Sequence, residues 1–237
     1  MKTHLKASPL KRSALLSLIL GLLCCTTHGE ERGRTCRIIC FDRPQGAPPT
    51  LHLFDGTSSQ EVEVPGMNLS KIYKLPPGRI SLSLLPAPLS DPASLPPGTP
   101  TVLVPEEATD LYLLVVHDPS KKDAPASLQL ADAGAEQLRK GRTLWINLTQ
   151  LSIGGTLGSQ SLDLKPMARV VTDAPREGAG DFAVSLGYRV EDEERLHPIS
   201  ETRWQHDPVA RHLGFVIKSD SSRIPRIFVL SDIREGQ

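Results

Sequence analysis

The feature that most constrains this chain is that it is written twice. "LHLFDGTSSQEVEVP" (Leu51–Pro65) and "LSIGGTLGSQSLDLKP" (Leu151–Pro166) match in order and spacing, with Leu51 against Leu151, Leu53 against Ile153, Val62 against Leu162 and Val64 against Leu164. Further on, Pro76 answers to Pro175, Gly78 to Gly178, and Ile80, Leu82 and Leu84 to Phe182, Val184 and Leu186. Finally "LYLLVVHDPSKKDAPASLQLADA" from Leu111 meets "LGFVIKSDSSRIPRIFVLSDI" from Leu213, pairing Asp118 with Asp220, Pro125 with Pro225, Leu128 with Phe228, Leu130 with Leu230 and Asp132 with Asp232. The offset stays between 99 (Pro76 to Pro175) and 102 (Asp118 to Asp220). Self-similarity at one period is the mark of a duplicated unit.

Each copy reads as β. Val62-Glu63-Val64, Ile80-Ser81-Leu82-Ser83-Leu84 and Phe228-Val229-Leu230-Ser231 alternate with period two, as half-buried strands do. Asp55-Gly56, Pro77-Gly78, Gly154-Gly155 and Gly178 punctuate them. Short strands between Pro/Gly turns indicate an antiparallel sandwich. "GGTLGS" (Gly154–Ser159) reads as a hairpin turn needing positive φ, and "LLPAPLSDPASLPPGTP" (Leu84–Pro100) as a loop or edge connection. "ADAGAEQLRKG" (Ala131–Gly141) is the one helix-like stretch and reads as the linker between copies. The expected fold is all-β: two tandem antiparallel immunoglobulin-like sandwiches, residues 30–135 and 136–237, each with its own core.

Residues 1–29 read as a cleaved signal peptide. Lys2, Lys6, Lys11 and Arg12 precede the apolar run "SALLSLILGLLCC", which is too short to span a bilayer, and Thr27 and Gly29 suit a cut after Gly29. Leu23 before Cys24 disfavours a lipoprotein. The expected location is secreted or periplasmic. Losing four cations leaves 23 Lys+Arg from 27, against 27 Asp+Glu. A mildly acidic chain without a basic block is a poor nucleic-acid binder. Among the cysteines beyond the leader, Cys36 and Cys40 lie on one face of a strand about 13 Å apart, too far to bridge. They read as small buried hydrophobes.

Catalytic signatures are absent: no G-x-S-x-G, no H-E-x-x-H, no phosphate loop, no calcium-loop run. Glu191-Asp192-Glu193-Glu194 read as a solvated hairpin tip, with weak calcium binding as the other reading. The sequons Asn68-Leu69-Ser70 and Asn147-Leu148-Thr149 read as outward polar positions beside strands. Trp145 is expected in a core or at the domain interface.

The stretch "TRWQHDPVARHLGFVI" (Thr202–Ile217) is the densest cluster of chemistry. In a hairpin with its tip near Asp207–Ala210, Asp207 and Pro208 form the turn, and His206 and His212 approach across the strands. Three readings follow: turn chemistry, a metal site at His206, Asp207 and His212, or an exposed ligand platform at Trp204. The first copy builds its corresponding tip from Pro105-Glu106-Glu107 without histidine, which favours turn chemistry. The tripeptide recurs at His117-Asp118-Pro119, outside the matched position.

With its leader, duplication and turn pattern, the chain resembles exported tandem β-sandwich proteins of the bacterial envelope. The resemblance implies no functional residue. The function expected is a non-catalytic interaction or structural module without cofactor, which binds a protein or envelope component. A metal-assisted hydrolase and a carbohydrate-binding module are the alternatives.

Overall fold

Period-two alternation becomes sixteen strands in the computed structural model, which describes residues 33–117, 126–134, 138–190, 193, 195–219 and 221–234. In the first half these are β1 (Thr35–Phe41), β2 (Thr50–Phe54), β3 (Ser59–Glu63), β4 (Tyr73–Lys74), β5 (Ile80–Leu85), β6 (Thr101–Val104), β7 (Asp110–His117) and β8 (Ala126–Asp132). In the second they are β9 (Thr143–Asn147), β10 (Ser152–Leu157), β11 (Gln160–Leu164), β12 (Arg169–Thr172), β13 (Gly180–Arg189), β14 (His197–His206), β15 (Arg211–Ile217) and β16 (Arg226–Asp232). The proline-rich stretch between β5 and β6 is a loop holding a single 3₁₀ turn, Pro92–Ser94, capped by Asp91. No α-helix is found among the described residues.

Four four-stranded sheets result. Sheet I has the order β3-β2-β5-β6, sheet II β4-β1-β7-β8, sheet III β12-β9-β15-β16 and sheet IV β11-β10-β13-β14. Adding eight to each strand number of sheets I and II gives sheets IV and III. The sheets are not purely antiparallel as expected: β1 runs parallel to β7, and β9 parallel to β15. Turn residues specify pairing between consecutive strands only. The chain crosses between sheets six strands long before β7 meets β1, so no local signal records their direction.

The sheets stack so that three apolar layers form. Cys36, Ile38 and Cys40 of β1 and Leu111, Leu113 and Val115 of β7 face sheet I. Ile39, Phe41, Tyr112 and Leu114, on the opposite faces of the same strands, meet Leu144, Ile146, Leu213, Phe215 and Ile217 of sheet III. Trp145 and Val216 then face sheet IV. Sheets II and III are thus buried on both faces, and their central strands read as continuous apolar runs, "LYLLVV" and "LGFVI". Each half has an inner layer of its own, and a middle layer drawn from both joins them. Cys36 and Cys40 are buried free thiols. Burial pushes Cys36 up to about 12 and Cys40 up to about 11, so both are inert as nucleophiles.

This layering also corrects the third sequence match. Leu128 and Leu130 pack in the first layer, whereas their matched partners Phe228 and Leu230 pack in the middle one. The residues of β16 that face its own half are Ile227 and Val229. A one-residue slip turns every side chain to the other face. The correspondence that preserves faces sets Leu113 against Gly214 and Asp110 against Arg211, an offset of 101. The expected linker Ala131–Gly141 differs too: Ala131 and Asp132 end β8, Leu138 is buried in the middle layer, and residues 135–137 lie outside the described ones. The leader at residues 1–29 and the tripeptide residues Asp118 and Pro119 also lie outside them.

One end of the middle layer is charged. Arg211 of β15 bonds Asp110 of β7 at 2.7 Å and Asp232 of β16 at 2.8 Å, and Arg234 bonds the same two carboxylates at 2.9 Å each. Arg37 of β1 pairs with Asp232, and the Tyr112 hydroxyl donates to it. The Asp232 side chain has 0% exposure. Burial raises its pKa, but the Tyr112 hydrogen bond and the charges of Arg234 and Arg211 outweigh this and hold it down to about 2. Three guanidinium groups face two carboxylates, and Arg211 Nε and Arg234 Nη2 have no partner among the described residues. Removing one member of a buried network strands the others. Asp232→Ala is expected to cost about 3–5 kcal/mol in denaturant unfolding, leaving three arginines without their shared acceptor. In the native protein the carboxylate's contribution is present above its ordinary value of 3.8 and lost as pH falls from there to about 2. Acid titration of unfolding free energy should show this limb, and Asp232→Ala should lack it.

Candidate functional site

The second half differs from the first in how its sandwich closes. In the first, β6 lies against β8, joining the edges of sheets I and II. No comparable contact joins β14 to β16, the edge strands at the same place in sheets IV and III. Between them opens a cleft of about 790 Å³. Its lining includes Trp145, Phe182, Trp204, Ile227 and Val229, together with Thr143, Thr172, Gln205, His206, Asp207, His212 and Ser231.

Strand chemistry explains the opening. Val102 and Val104 of β6 turn inward into the first layer. In β14 the inward positions are Ser200 opposite Leu186, Thr202 opposite Val184, Trp204 opposite Phe182 and His206 opposite Gly180. The hydroxyls of Ser200 and Thr202 on that inward face offer little apolar surface to draw the edges together. The face-preserving count that sets Ile38 against Trp145 also sets Arg34 against Gly141. Arg34 is buried and donates to the carbonyls of Pro76, Gly78, Pro105, Glu106 and Ala108, clamping the loops at its end of the first sandwich. Gly141 has no side chain to do so, and His206 packs beside it instead.

The cleft floor is aromatic. Trp145 lies opposite Gly214 on the neighbouring parallel strand, and a Cβ at Gly214 would come within 2.4 Å of the indole. Glycine there lets the ring lie flat on sheet III. Trp204, half-buried, stacks on it across the sandwich with ring centroids 6.3 Å apart, and Phe182 meets Trp204 edge-on at the same distance.

The expected hairpin at Asp207–Ala210 is instead a crossover: β14 belongs to sheet IV and β15 to sheet III. The turn chemistry itself is present, since Asp207 Oδ1 accepts from the Val209 amide at 3.0 Å. His206 and His212 do meet, with centroids 5.7 Å apart. Their nitrogens are arranged for structure rather than for a metal. His212 Nε2 donates to the Asp207 carbonyl at 3.0 Å, which makes Nδ1 an acceptor for the Ser231 hydroxyl at 3.2 Å. His206 Nε2 is enclosed without a partner among the described residues. Among the described residues no group of three His, Cys, Asp or Glu side chains is placed to hold a metal ion. Thus Trp204, His206, Asp207 and His212 line one cleft. Trp204 is not the exposed flat platform that one reading required.

The chain matches no protein-family model. It matches none of the curated proteins.

Other candidates resolve differently. Glu193 pairs with His197 at 2.6 Å, while Glu191, Asp192 and Glu194 lie outside the described residues. Asn147 is not an outward position: it is buried, its Nδ2 donating to the Leu151 and Lys165 carbonyls and its Oδ1 accepting from Thr149. Asn68 is exposed. In "GGTLGS" the turn is Gly158-Ser159, with φ of 58° at Gly158. Gly154 and Gly155 lie within β10, and a Cβ at Gly155 would stand 2.0 Å from the Ser185 carbonyl oxygen.

His206 gives the site a pH signature. Burial lowers its pKa, and His212 beside it lowers it further, against the opposing pull of Asp207. The unfolded chain therefore takes up a proton near the ordinary 6.5, before the folded one does. Stability is full above that pH and falls as pH drops through it. His206→Phe keeps an aromatic ring, removes the orphaned nitrogen and should flatten this limb in melting curves taken between about pH 7.5 and pH 5. An unchanged acid slope would assign the effect elsewhere. Gly214→Ala should displace Trp145 and alter the near-ultraviolet circular dichroism of the stacked indoles.

Proposed function

We propose that this is an exported, non-catalytic binding protein, and that the cleft between β14 and β16 is its binding site. The observation that carries this reading is the contrast between halves: one plan of strands is closed in the first and left open in the second, over an aromatic floor. Clefts of about 300–1,000 Å³ with apolar walls and a few polar groups are the usual form of binding sites. The first half is then the scaffold, and the partner is a protein or envelope component reached outside the cytoplasm. The basic, then apolar, character of residues 1–29 supports export with cleavage after Gly29.

The two halves are read as a duplication of one immunoglobulin-like sandwich, residues 30–135 and 136–237. The shifted strand order and the parallel pair in the same place support it. So do Met67 and Met167, which share the left-handed region with φ of 52° and 56°. Non-glycine residues adopt that region rarely. A catalytic reading gains nothing from the cleft, where the imidazole of His212 and the carboxylate of Asp207 are committed to holding the crossover.

The mature chain, immobilised and exposed to an envelope extract, is the test. Components retained by the wild type are expected to be lost with Trp204→Ala and kept with Leu103→Ala on the closed half. Retention of the same components by all three proteins would remove the cleft as the binding site. Amino-terminal sequencing of exported protein should begin at Glu30.

A further inference from the structure

We propose that the ligand of this cleft is a glycan of more than one sugar, seated against Trp204, with hydroxyls of different rings on Thr172 and Ser231, which stand on opposite edge strands of sheet III. The inference rests on the cleft being the binding site, and it adds what the site recognises.

A sugar ring presents an apolar C–H face and a rim of hydroxyls, each both donor and acceptor. The cleft offers both surfaces. Its floor is the Trp204 indole over Trp145, with Phe182 at the edge. The hydroxyls beside it are set in complementary states. Thr172 Oγ1 accepts from Trp145 Nε1 at 3.3 Å, which leaves its own proton to give to a ligand. Ser231 donates to His212 Nδ1 at 3.2 Å, because that nitrogen is held as an acceptor by the bond from Nε2 to the Asp207 carbonyl. The Ser231 lone pairs are therefore left to accept. One donor hydroxyl on β12 and one acceptor hydroxyl on β16 thus stand at the two edges of sheet III, far enough apart to meet different rings of one oligosaccharide.

The lining acids are already engaged. Asp173 pairs with Arg142 at 2.7 Å, and Asp207 caps its own turn. The polar character left to a ligand is mainly that of hydroxyl and amide groups, with Arg203 as the one arginine or lysine among the lining residues. An extended peptide added to the edge of β14 fits less well. Its alternate side chains would face the hydroxyls of Ser200 and Thr202, which offer them little apolar surface. A polyol finds hydrogen-bonding partners there.

The mature chain is titrated with cello-, chito-, malto-, xylo- and galacturono-hexaose, read by intrinsic tryptophan fluorescence and by calorimetry. At least one is expected to bind. Losing the stacking surface in Trp204→Ala should weaken it about tenfold or more, a 1.4 kcal/mol effect. Trp204→Phe should retain part of the affinity. Ser231→Ala, which also removes the donor to His212 Nδ1, should weaken binding, and Ser231→Thr, which keeps the hydroxyl, should restore it. Leu103→Ala should bind as wild type. An alternating threonine–valine heptapeptide and the dye anilinonaphthalene sulfonate are run alongside. If these bind in a Trp204-dependent manner while no saccharide binds up to millimolar concentration, the cleft stands and the glycan is overturned. If nothing binds in a Trp204-dependent manner, both readings fall.

Discussion

The arrangement of the whole chain depends on Asp232. Its carboxylate, with no exposure of its own, is the acceptor shared by Arg37 and Tyr112 of sheet II and by Arg211 and Arg234 of the second half. Apolar layers slide at small cost, because leucine meets phenylalanine almost as well one residue further on. A carboxylate between three guanidinium groups and a phenol has one position. Burying ions is expensive, and such a network contributes less to net stability than to uniqueness of register. Here the register it specifies is that between sheets II and III. Arg211 and Asp110, which the face-preserving count makes equivalent in the two halves, meet each other directly in it.

From the middle layer outward, the two halves then diverge. In the first, Arg34 reaches five carbonyls and β6 closes on β8. In the second, glycine stands in the arginine's place and the inward face of β14 carries hydroxyls and an indole. The same strand plan is a filled scaffold on one side and a lined cleft on the other. Gly214 shows how far this goes: it faces the cleft side of a central strand and contributes nothing but room for Trp145.

Much of this was legible in the sequence. Alternation and turn residues predict the all-β chain, and the repeat predicts that whatever one half does with its strands the other does too. Trp204, His206, Asp207 and His212 were singled out by density alone, and they do share a cavity. What was not legible is non-local. Which strand completes a sheet is decided by partners more than sixty residues away, so the parallel pairs left no trace. The middle layer did leave one, in apolar runs without alternation at Leu111–Val116 and Leu213–Ile217. Matching those runs by hydrophobicity could not fix their phase, because with both faces apolar a slip of one residue looks as good as the true register. The cleft was illegible for another reason: it arises where two edges fail to touch, and a missing contact has no motif.

The shared middle layer bears on what kind of object the repeat is. In a string of beads each bead keeps its own interior, and cutting the string costs only the thread. Here sheets II and III each give one whole face to the neighbour. Parting the halves would uncover Phe41, Tyr112, Leu213 and Phe215 to water on two surfaces at once. The sequence reads as two units, but the shared layer couples them, so that neither half keeps its burial without the other.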